Sequence, residues 1–366
     1  MIKKFLRRVL YRPVLWATNE YSSRPNAERI KEALDKLYLK IKEEHKKAGL
    51  NLPVDETTKY IIFSDQHKGG KDGSDDFMLA EKNYLTALEH YNQLSYTYIN
   101  LGDSEELWEN TLETVKKNNT ASFEAEKKFV ARNAFIKVFG NHDIYWNNDP
   151  LASFQAEKIF GQKLTIFEGL ILTWASGEKS LEIFLTHGHQ GDGQSDANPF
   201  SAWFISKIWA PLQAYLSINF NTPAYDNNLK SLHNAMMYEW SKAQTNLILI
   251  TGHTHQPVFC SLTHLERLFI ELEKAKAENN SEAILQLQKD VRKSWKHEPP
   301  TGIKDLKVKP SYFNTGCCCF DDGDITGIEI TSDSICLIKW EYDVAGNSRR
   351  IELSTIALHE LYSQLK

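Results

Sequence analysis

Five times along the chain, a short apolar run ends abruptly in a small set of Asp, Asn and His side chains. Lys59 to Phe63 leads into Ser64-Asp65-Gln66-His67, Tyr96 to Leu101 into Gly102-Asp103, and Phe135 to Phe139 into Gly140-Asn141-His142-Asp143. Further on, Leu181 to Leu185 leads into Thr186-His187-Gly188-His189, and Leu247 to Thr251 into Gly252-His253-Thr254-His255. Runs of this length and composition read as buried strands. Helical spacing fills intervals between them, over about Asp76 to Gln93 and Glu105 to Arg132. Alternating strand and helix is the pattern of an α/β sheet, whose strand exits share one crevice. The polar blocks are therefore expected in one place.

The flanking sequence suggests additions to such a core. Ile30, Leu34, Leu37 and Ile41 predict a helix over Asn26 to Lys47, with Gly49 as its stop. Helices are also predicted over Ala202 to Ser217 and Asn228 to Ala243. Leu262 to Trp295 reads as a helical hairpin broken at Asn279-Asn280-Ser281 and closed by Pro299-Pro300. Ile325 to Ile330, Ile335 to Tyr342 and Arg350 to Ile356 predict an antiparallel meander, followed by a terminal helix from Ala357. The layout is a helical extension over 1–50, a core over 55–356 with helical insertions at about 200–243 and 262–295, and a C-terminal helix over 357–366.

Composition excludes several classes. A hydrophobic share of 42% with 25% charged residues is that of an ordinary globular chain and argues against disorder. A formal net charge of −5 implies no general polyanion-binding surface, so no nucleic-acid signature is read. Five cysteines, three of them consecutive at Cys317, Cys318 and Cys319, make a poor disulfide framework and point to a reducing, cytoplasmic setting. Ile2, Phe5, Leu6, Val9 and Leu10 opposite Lys3, Lys4, Arg7 and Arg8 form a basic amphipathic stretch without the apolar core of a signal peptide. Packing on its own domain is the favoured reading there, and peripheral contact with an inner membrane surface the alternative. The apolar stretch Phe200 to Phe220 is interrupted by Lys207, Pro211 and Gln213, which weakens it as a membrane span.

Asp65, His67, Asp103, Asn141, His142, His187, His253 and His255 offer oxygen and imidazole donors and no thiolate. Such a set suits Mn²⁺, Fe²⁺, Co²⁺ or Zn²⁺. One shared carboxylate would let two cations sit about 3.5–4 Å apart, the separation used in two-metal hydrolysis. Taken singly, His67 or His187 reads as a loop or core histidine, and Asp103 as a turn residue. Their order in five blocks argues otherwise. His189, His90, His233, His264 and His297 are read as structural, Cys317 to Cys319 as packed core thiols, and Asp143 as a turn support.

In full and in order, D-x-H, G-D, G-N-H-D, a lone H and G-H-x-H resemble the calcineurin-like metallophosphoesterase superfamily, over about Tyr60 to Gly316. Phe313-Asn314-Thr315-Gly316 resembles the strand and glycine turn that follow in that family. The resemblance implies a four-layer α/β/β/α sandwich and hydrolysis of a phosphate ester or pyrophosphate by a metal-bridging hydroxide. Two divalent ions are implied, manganese first, with Fe²⁺, Zn²⁺, Co²⁺ or Ni²⁺ as alternatives. Asp65, His67 and His255 would hold one ion, Asn141, His187 and His253 the other, and Asp103 would bridge them. His142 would assist the leaving group and Glu106 would orient it.

Departures narrow the substrate. No arginine follows Asp103 as in the superfamily's protein phosphatases, and Glu106 stands where purple acid phosphatases carry tyrosine. Gly102-Asp103-Ser104-Glu105-Glu106-Leu107-Trp108 with Gly252 to Pro257 resembles UDP-diacylglucosamine pyrophosphatases at the membrane surface, although His142 replaces the arginine of many of them. A non-catalytic scaffold of the same fold is the reading from a different class. The oligomeric state is not legible.

Overall fold

The computed structural model describes residues 25–44, 48–72, 75–191, 227–295 and 308–366. The basic stretch Ile2 to Leu10 and the segments Ala202 to Ser217 and Phe200 to Phe220 lie outside the described residues. Strands β1 (Gly49–Val54), β2 (Lys59–Phe63), β3 (Thr97–Leu101), β4 (Phe135–Val138) and β5 (Ile166–Phe167) open the fold. They are followed by β6 (Gly169–Ser176), β7 (Lys179–Thr186), β8 (Leu247–Thr251), β9 (Val258–Phe259) and β10 (Leu262–Thr263). The last four are β11 (Tyr312–Asn314), β12 (Ile325–Thr331), β13 (Ser334–Tyr342) and β14 (Ser348–Ala357). The helices begin with α1 (Ala27–Glu43), α2 (Glu81–Gln93), α3 (Leu112–Asn118), α4 (Thr120–Ala131) and α5 (Tyr145–Asn148). Then come α6 (Ala152–Phe160), α7 (Asn227–Lys242), α8 (His264–Ala277), α9 (Ser281–Trp295) and α10 (Leu358–Gln364).

The strands form two seven-stranded sheets, ordered β1-β6-β7-β8-β11-β9-β10 and β14-β13-β12-β2-β3-β4-β5. Alternation along the central strands decides how they stack, because successive side chains leave a strand on opposite faces. Ile62, Ile99, Leu101 and Val138 of the second sheet meet Leu170, Leu172, Leu185, Ile250 and Phe313 of the first in one buried layer between the sheets. Ile61, Phe63 and Tyr98 point the other way, onto Tyr84 and Tyr91 of α2, Phe129 of α4 and Phe160 of α6. Ile171, Phe184 and Leu249 point outward from the first sheet onto Ile30, Leu34, Leu37 and Ile41 of α1 and Met237 and Trp240 of α7. Three apolar layers separate four structural ones, so the fold is the α/β/β/α sandwich. Strands buried on both faces also explain why their sequences read as unbroken apolar runs.

Several boundaries differ from expectation. Residues 27–54 are part of the sandwich, since β1 pairs in parallel with β6 from Gly49↔Gly169 to Val54↔Trp174. The stretch expected to be helical from Glu105 is a loop as far as Thr111, whose side chain caps α3 by accepting from Thr114 N. Glu105 and Glu106 are drawn inward there and buried, which a continuous surface helix would not allow. Leu262 joins the short strand β10, and its hairpin helix α8 starts at a capping box made by Thr263 and Glu266. The C-terminal helix α10 buries Leu358, Leu361 and Tyr362 in the layer between the sheets. Among the described residues no helix is long and apolar enough to cross a membrane.

Because α1 covers the first sheet, its removal from the core is testable. Leu34→Ala is expected to cost about 2–5 kcal/mol, read as a lowered urea midpoint at unchanged slope. A midpoint equal to wild type would mean α1 contributes no core.

Candidate metal centre

Every polar block lies at the end of the strand that precedes it, and the loops are stitched together by backbone bonds. Asp65 N donates to Gly102 O (3.0 Å), His67 N to Asp103 O (3.0 Å), and Gly252 N to His187 O (2.9 Å). Side-chain acceptors add to this. His142 N donates to Asp103 Oδ1 (2.7 Å), and His253 N to Asp65 Oδ2 (3.0 Å). Asp143 supports its turn as expected, accepting from Gly140 N (2.6 Å) and Ser104 N (3.0 Å).

This convergence needs unusual backbone. Asp65, His67, Asp103, His253 and His255 all take left-handed conformations, with φ between 50° and 71°. Each such non-glycine residue costs about 1–3 kcal/mol, and clustered strain of this kind marks functional sites. Two glycines allow the close approach. A Cβ at Gly140 would overlap the Asp103 carboxylate, and one at Gly252 would overlap the side chains of Ser64 and Asp65.

The ligand atoms fall into two adjoining groups. In the first, His255 Nε2 lies 3.3 Å from Asp65 Oδ1 and 3.1 Å from His67 Nε2, which is 3.9 Å from Asp103 Oδ2. In the second, His187 Nε2 lies 3.0 Å from Asp103 Oδ2 and 3.9 Å from Asp65 Oδ1. Donor atoms of Asp103, His187 and His253 all lie within 4.8 Å of one another. Asn141 is buried beside them in sequence order, and its Oδ1 has no hydrogen-bond partner. Asp103 belongs to both groups.

Tautomers explain what these distances mean. His67 Nδ1 faces Glu106 Oε2 at 2.9 Å, and His187 Nδ1 faces the Leu101 carbonyl at 2.9 Å. Both Nδ1 atoms must donate, which leaves Nε2 as a lone pair in each neutral ring. Those lone pairs point at other acceptors, and His187 Nε2 is buried without a hydrogen bond. The His187 lone pair and Asp103 Oδ2, held 3.0 Å apart, repel one another unless positive charge lies between them. Protons are one source. Burial pushes the His187 imidazole down, yet the Asp103 and Asp65 carboxylates carry it up to about 9. Burial likewise opposes charge on Asp103 and Asp65, but the surrounding histidines, His187 foremost, hold both carboxyls below their usual range. Cations are the other source, and the donor set of carboxylate, amide and imidazole fits divalent transition ions.

His142 sits at the edge of this cluster. Its Nδ1 is 2.7 Å from Glu106 Oε2, the atom that also meets His67, and its ring stacks on Trp108 with centroids 4.0 Å apart. Burial pushes the Glu106 carboxyl up, but His142 and His67 bring it down to about 2. The structure thus brings together Asp65, His67, Asp103, Glu106, His142, His187, His253 and His255, and Asn141 lies between Gly140 and His142, both of which approach Asp103.

Other neighbours were not singled out from sequence. Trp108 stands two residues after Glu106, and only its place in that loop turns it to His142. His189 and His233, read as structural, flank the second group: His233 donates to Gly188 O at 2.8 Å, and their rings lie 5.4 Å from His187 and 5.1 Å from His253 respectively. Burial drives His189 down to about 3, so it stays neutral. The cysteine run is also closer to the site than its reading as core thiols implied. Cys319 Sγ lies 3.6 Å from His255 Nδ1.

No family model matches the chain, and no curated protein does. Among solved structures, vacuolar protein sorting 29 from Cryptosporidium parvum is similar at a TM-score of 0.32 and 12% identity, with 83% of this chain and 100% of that one covered. A likeness of that degree carries no inference about activity.

Beneath the loops, Lys68 Nζ meets Glu126 Oε1 at 2.6 Å and Glu105 Oε1 at 3.2 Å, while Lys137 Nζ meets Glu105 Oε2 at 2.9 Å. All four side chains are fully buried. Burial raises the Glu105 carboxyl, but Lys137 and Lys68 overcome it and lower the pKa to about 2. A carboxyl lowered on folding stabilises the native state above its unfolded pKa, and that contribution fades as pH falls toward about 2. Glu105→Gln leaves two buried ammonium groups short of a partner, so a loss of about 3–5 kcal/mol at pH 7 is expected. The difference from wild type should shrink in urea melts taken at successively lower pH. A constant difference down to pH 2 would contradict the assignment.

Proposed function

We propose that the chain is a dinuclear metal-dependent phosphoesterase of the calcineurin-like type, hydrolysing a phosphate ester or pyrophosphate. One observation carries the reading: with Nδ1 donating to the Leu101 carbonyl, the buried His187 Nε2 lone pair confronts Asp103 Oδ2 at 3.0 Å, a gap that positive charge makes favourable. Asp65, His67 and His255 would hold one ion and Asn141, His187 and His253 the other, with Asp103 common to both. Two bound cations would lower the pKa of a water and neutralise phosphoryl oxygens, and manganese is the ion proposed first.

The remaining roles belong to the chain. His142 is the proposed proton donor to the leaving oxygen. The Glu106 carboxylate on Nδ1 fixes the ring's orientation, and Trp108 stacks on one face of it. Glu106 is then a positioning residue, tying the acid to the ligand His67 through one oxygen. Asp103 Oδ1 holds the His142 backbone, so its other oxygen is left to the ligand groups. The resemblance of the Gly102 to Trp108 segment makes a nucleotide-lipid pyrophosphate the finer proposal for substrate. A scaffold would have no use for so complete a set of strained, buried donors.

Purified protein is expected to bind about two Mn²⁺ and to turn over p-nitrophenyl phosphate or its bis ester. Asp103→Asn should lose metal and activity together, whereas His142→Ala should keep its metal and lose about 10²–10⁴-fold in kcat. Wild-type protein without metal and without turnover would leave the scaffold reading standing. Release of UMP from the nucleotide lipid, compared with the simple esters, decides the substrate class.

A further inference from the structure

In the metal reading on which this inference rests, each ligating imidazole needs a partner on its far nitrogen to fix the tautomer. His67 has Glu106 Oε2 and His187 has the Leu101 carbonyl. His255 has neither carboxylate nor carbonyl there, but sulfur: Cys319 Sγ at 3.6 Å from Nδ1, within reach of a hydrogen bond to sulfur. The run Cys317-Cys318-Cys319 lies in the loop after β11, which turns Cys317 and Cys319 toward His255 and Cys318 away from it. Cys318 accordingly joins the apolar layer beneath the helices, while Cys317 lies with Cys319 at His255. The turn is anchored by Cys318 N donating to Asp65 O (3.1 Å) and Thr326 N donating to Cys317 O (3.0 Å), so it is tied to another ligand residue.

We propose that Cys319, backed by Cys317, is a positioning residue of the first metal group: its sulfur accepts the His255 Nδ1–H and directs Nε2 at Asp65 Oδ1. The competing arrangement is direct ligation, since Cys319 Sγ also lies within 4.8 Å of donor atoms of both His67 and His255. The two differ in what the metal sees, three oxygen and nitrogen residues plus a shared carboxylate in one case and a thiolate in the other.

Metal titration against a competing chelator separates them, using the full chain with Co²⁺ and with Mn²⁺. Cys319→Ala is expected to weaken one of the two binding steps by about 10–100-fold and leave the other unchanged. Cys319→Ser, whose hydroxyl also accepts, should recover most of that loss. The Co²⁺ form of wild type should lack a thiolate-to-cobalt charge-transfer band. Equal affinities in wild type and Cys319→Ala overturn the positioning role while leaving the metal reading intact. A charge-transfer band that disappears in Cys319→Ala overturns it in favour of direct ligation. Wild type that binds neither ion removes the metal reading, and this inference with it.

Discussion

The centre of this molecule is a repulsion. Two carboxylates and the rings of His67, His187 and His255 are pressed together, with His187 Nε2 3.0 Å from Asp103 Oδ2 and His67 Nε2 3.1 Å from His255 Nε2. Left as neutral rings and anions, such atoms would drive the loops apart. The arrangement makes sense when positive charge fills the gaps: against burial, Asp103 and Asp65 carry the His187 imidazole up to about 9, and Cys317 with Asp65 carries His255 up to about 9. Much else in the fold can be understood as the means of holding these groups in place. Asp65, His67, Asp103, His253 and His255 accept left-handed backbone, glycines 140 and 252 clear the space, and each loop bonds to the next.

Resistance to that repulsion comes from below as well as from the sides. The three apolar layers fix the strand ends rigidly, and the loop after β2 is clamped to the loop after β3 by backbone bonds on both sides of Lys68. Lys68 and Lys137 then neutralise Glu105 and Glu126 within the protein. Isolated, any one of these charges would be prohibitive to bury; as a group they convert the Ser104–Glu106 turn into a fixed platform. Trp146 Nε1, donating to Glu105 Oε2 at 2.7 Å, completes the shell on that side.

Most of the site was legible because its carriers are local. A short apolar run followed at once by Asp or His needs no tertiary information, and all nine candidate residues were read from such blocks or from three positions beyond one. What was missed depends on pairing across the chain. β1 is a weakly patterned Leu-Asn-Leu-Pro segment until β6, more than a hundred positions later, gives it a neighbour. The stretch from Glu105 to Thr111 has helix-forming composition, but the burial of two glutamates overrides propensity. Alternation alone predicts only that neighbouring cysteines diverge; that Cys317 and Cys319 meet at His255 depends on the loop after β11. His189 and His233 carry no signal of their own, since their approach to the second group follows from where β7 ends and where α7 lies.

In the proposed site, the sharing of Glu106 would link metal binding to proton transfer. Its Oε2 accepts from both His67 and His142, at 2.9 and 2.7 Å, and with a carboxyl held down at about 2 it remains an anion at any physiological pH. A single negative charge thus faces two rings stacked edge to face, 4.5 Å apart. Both rings cannot carry a full proton complement without placing two cations against one anion. In the proposed site His67 would coordinate through Nε2 as a neutral ring, with Glu106 accepting from its Nδ1. Proposed ligand and proposed proton donor are therefore not independent residues that happen to adjoin: one carboxylate oxygen orients both His67 and His142.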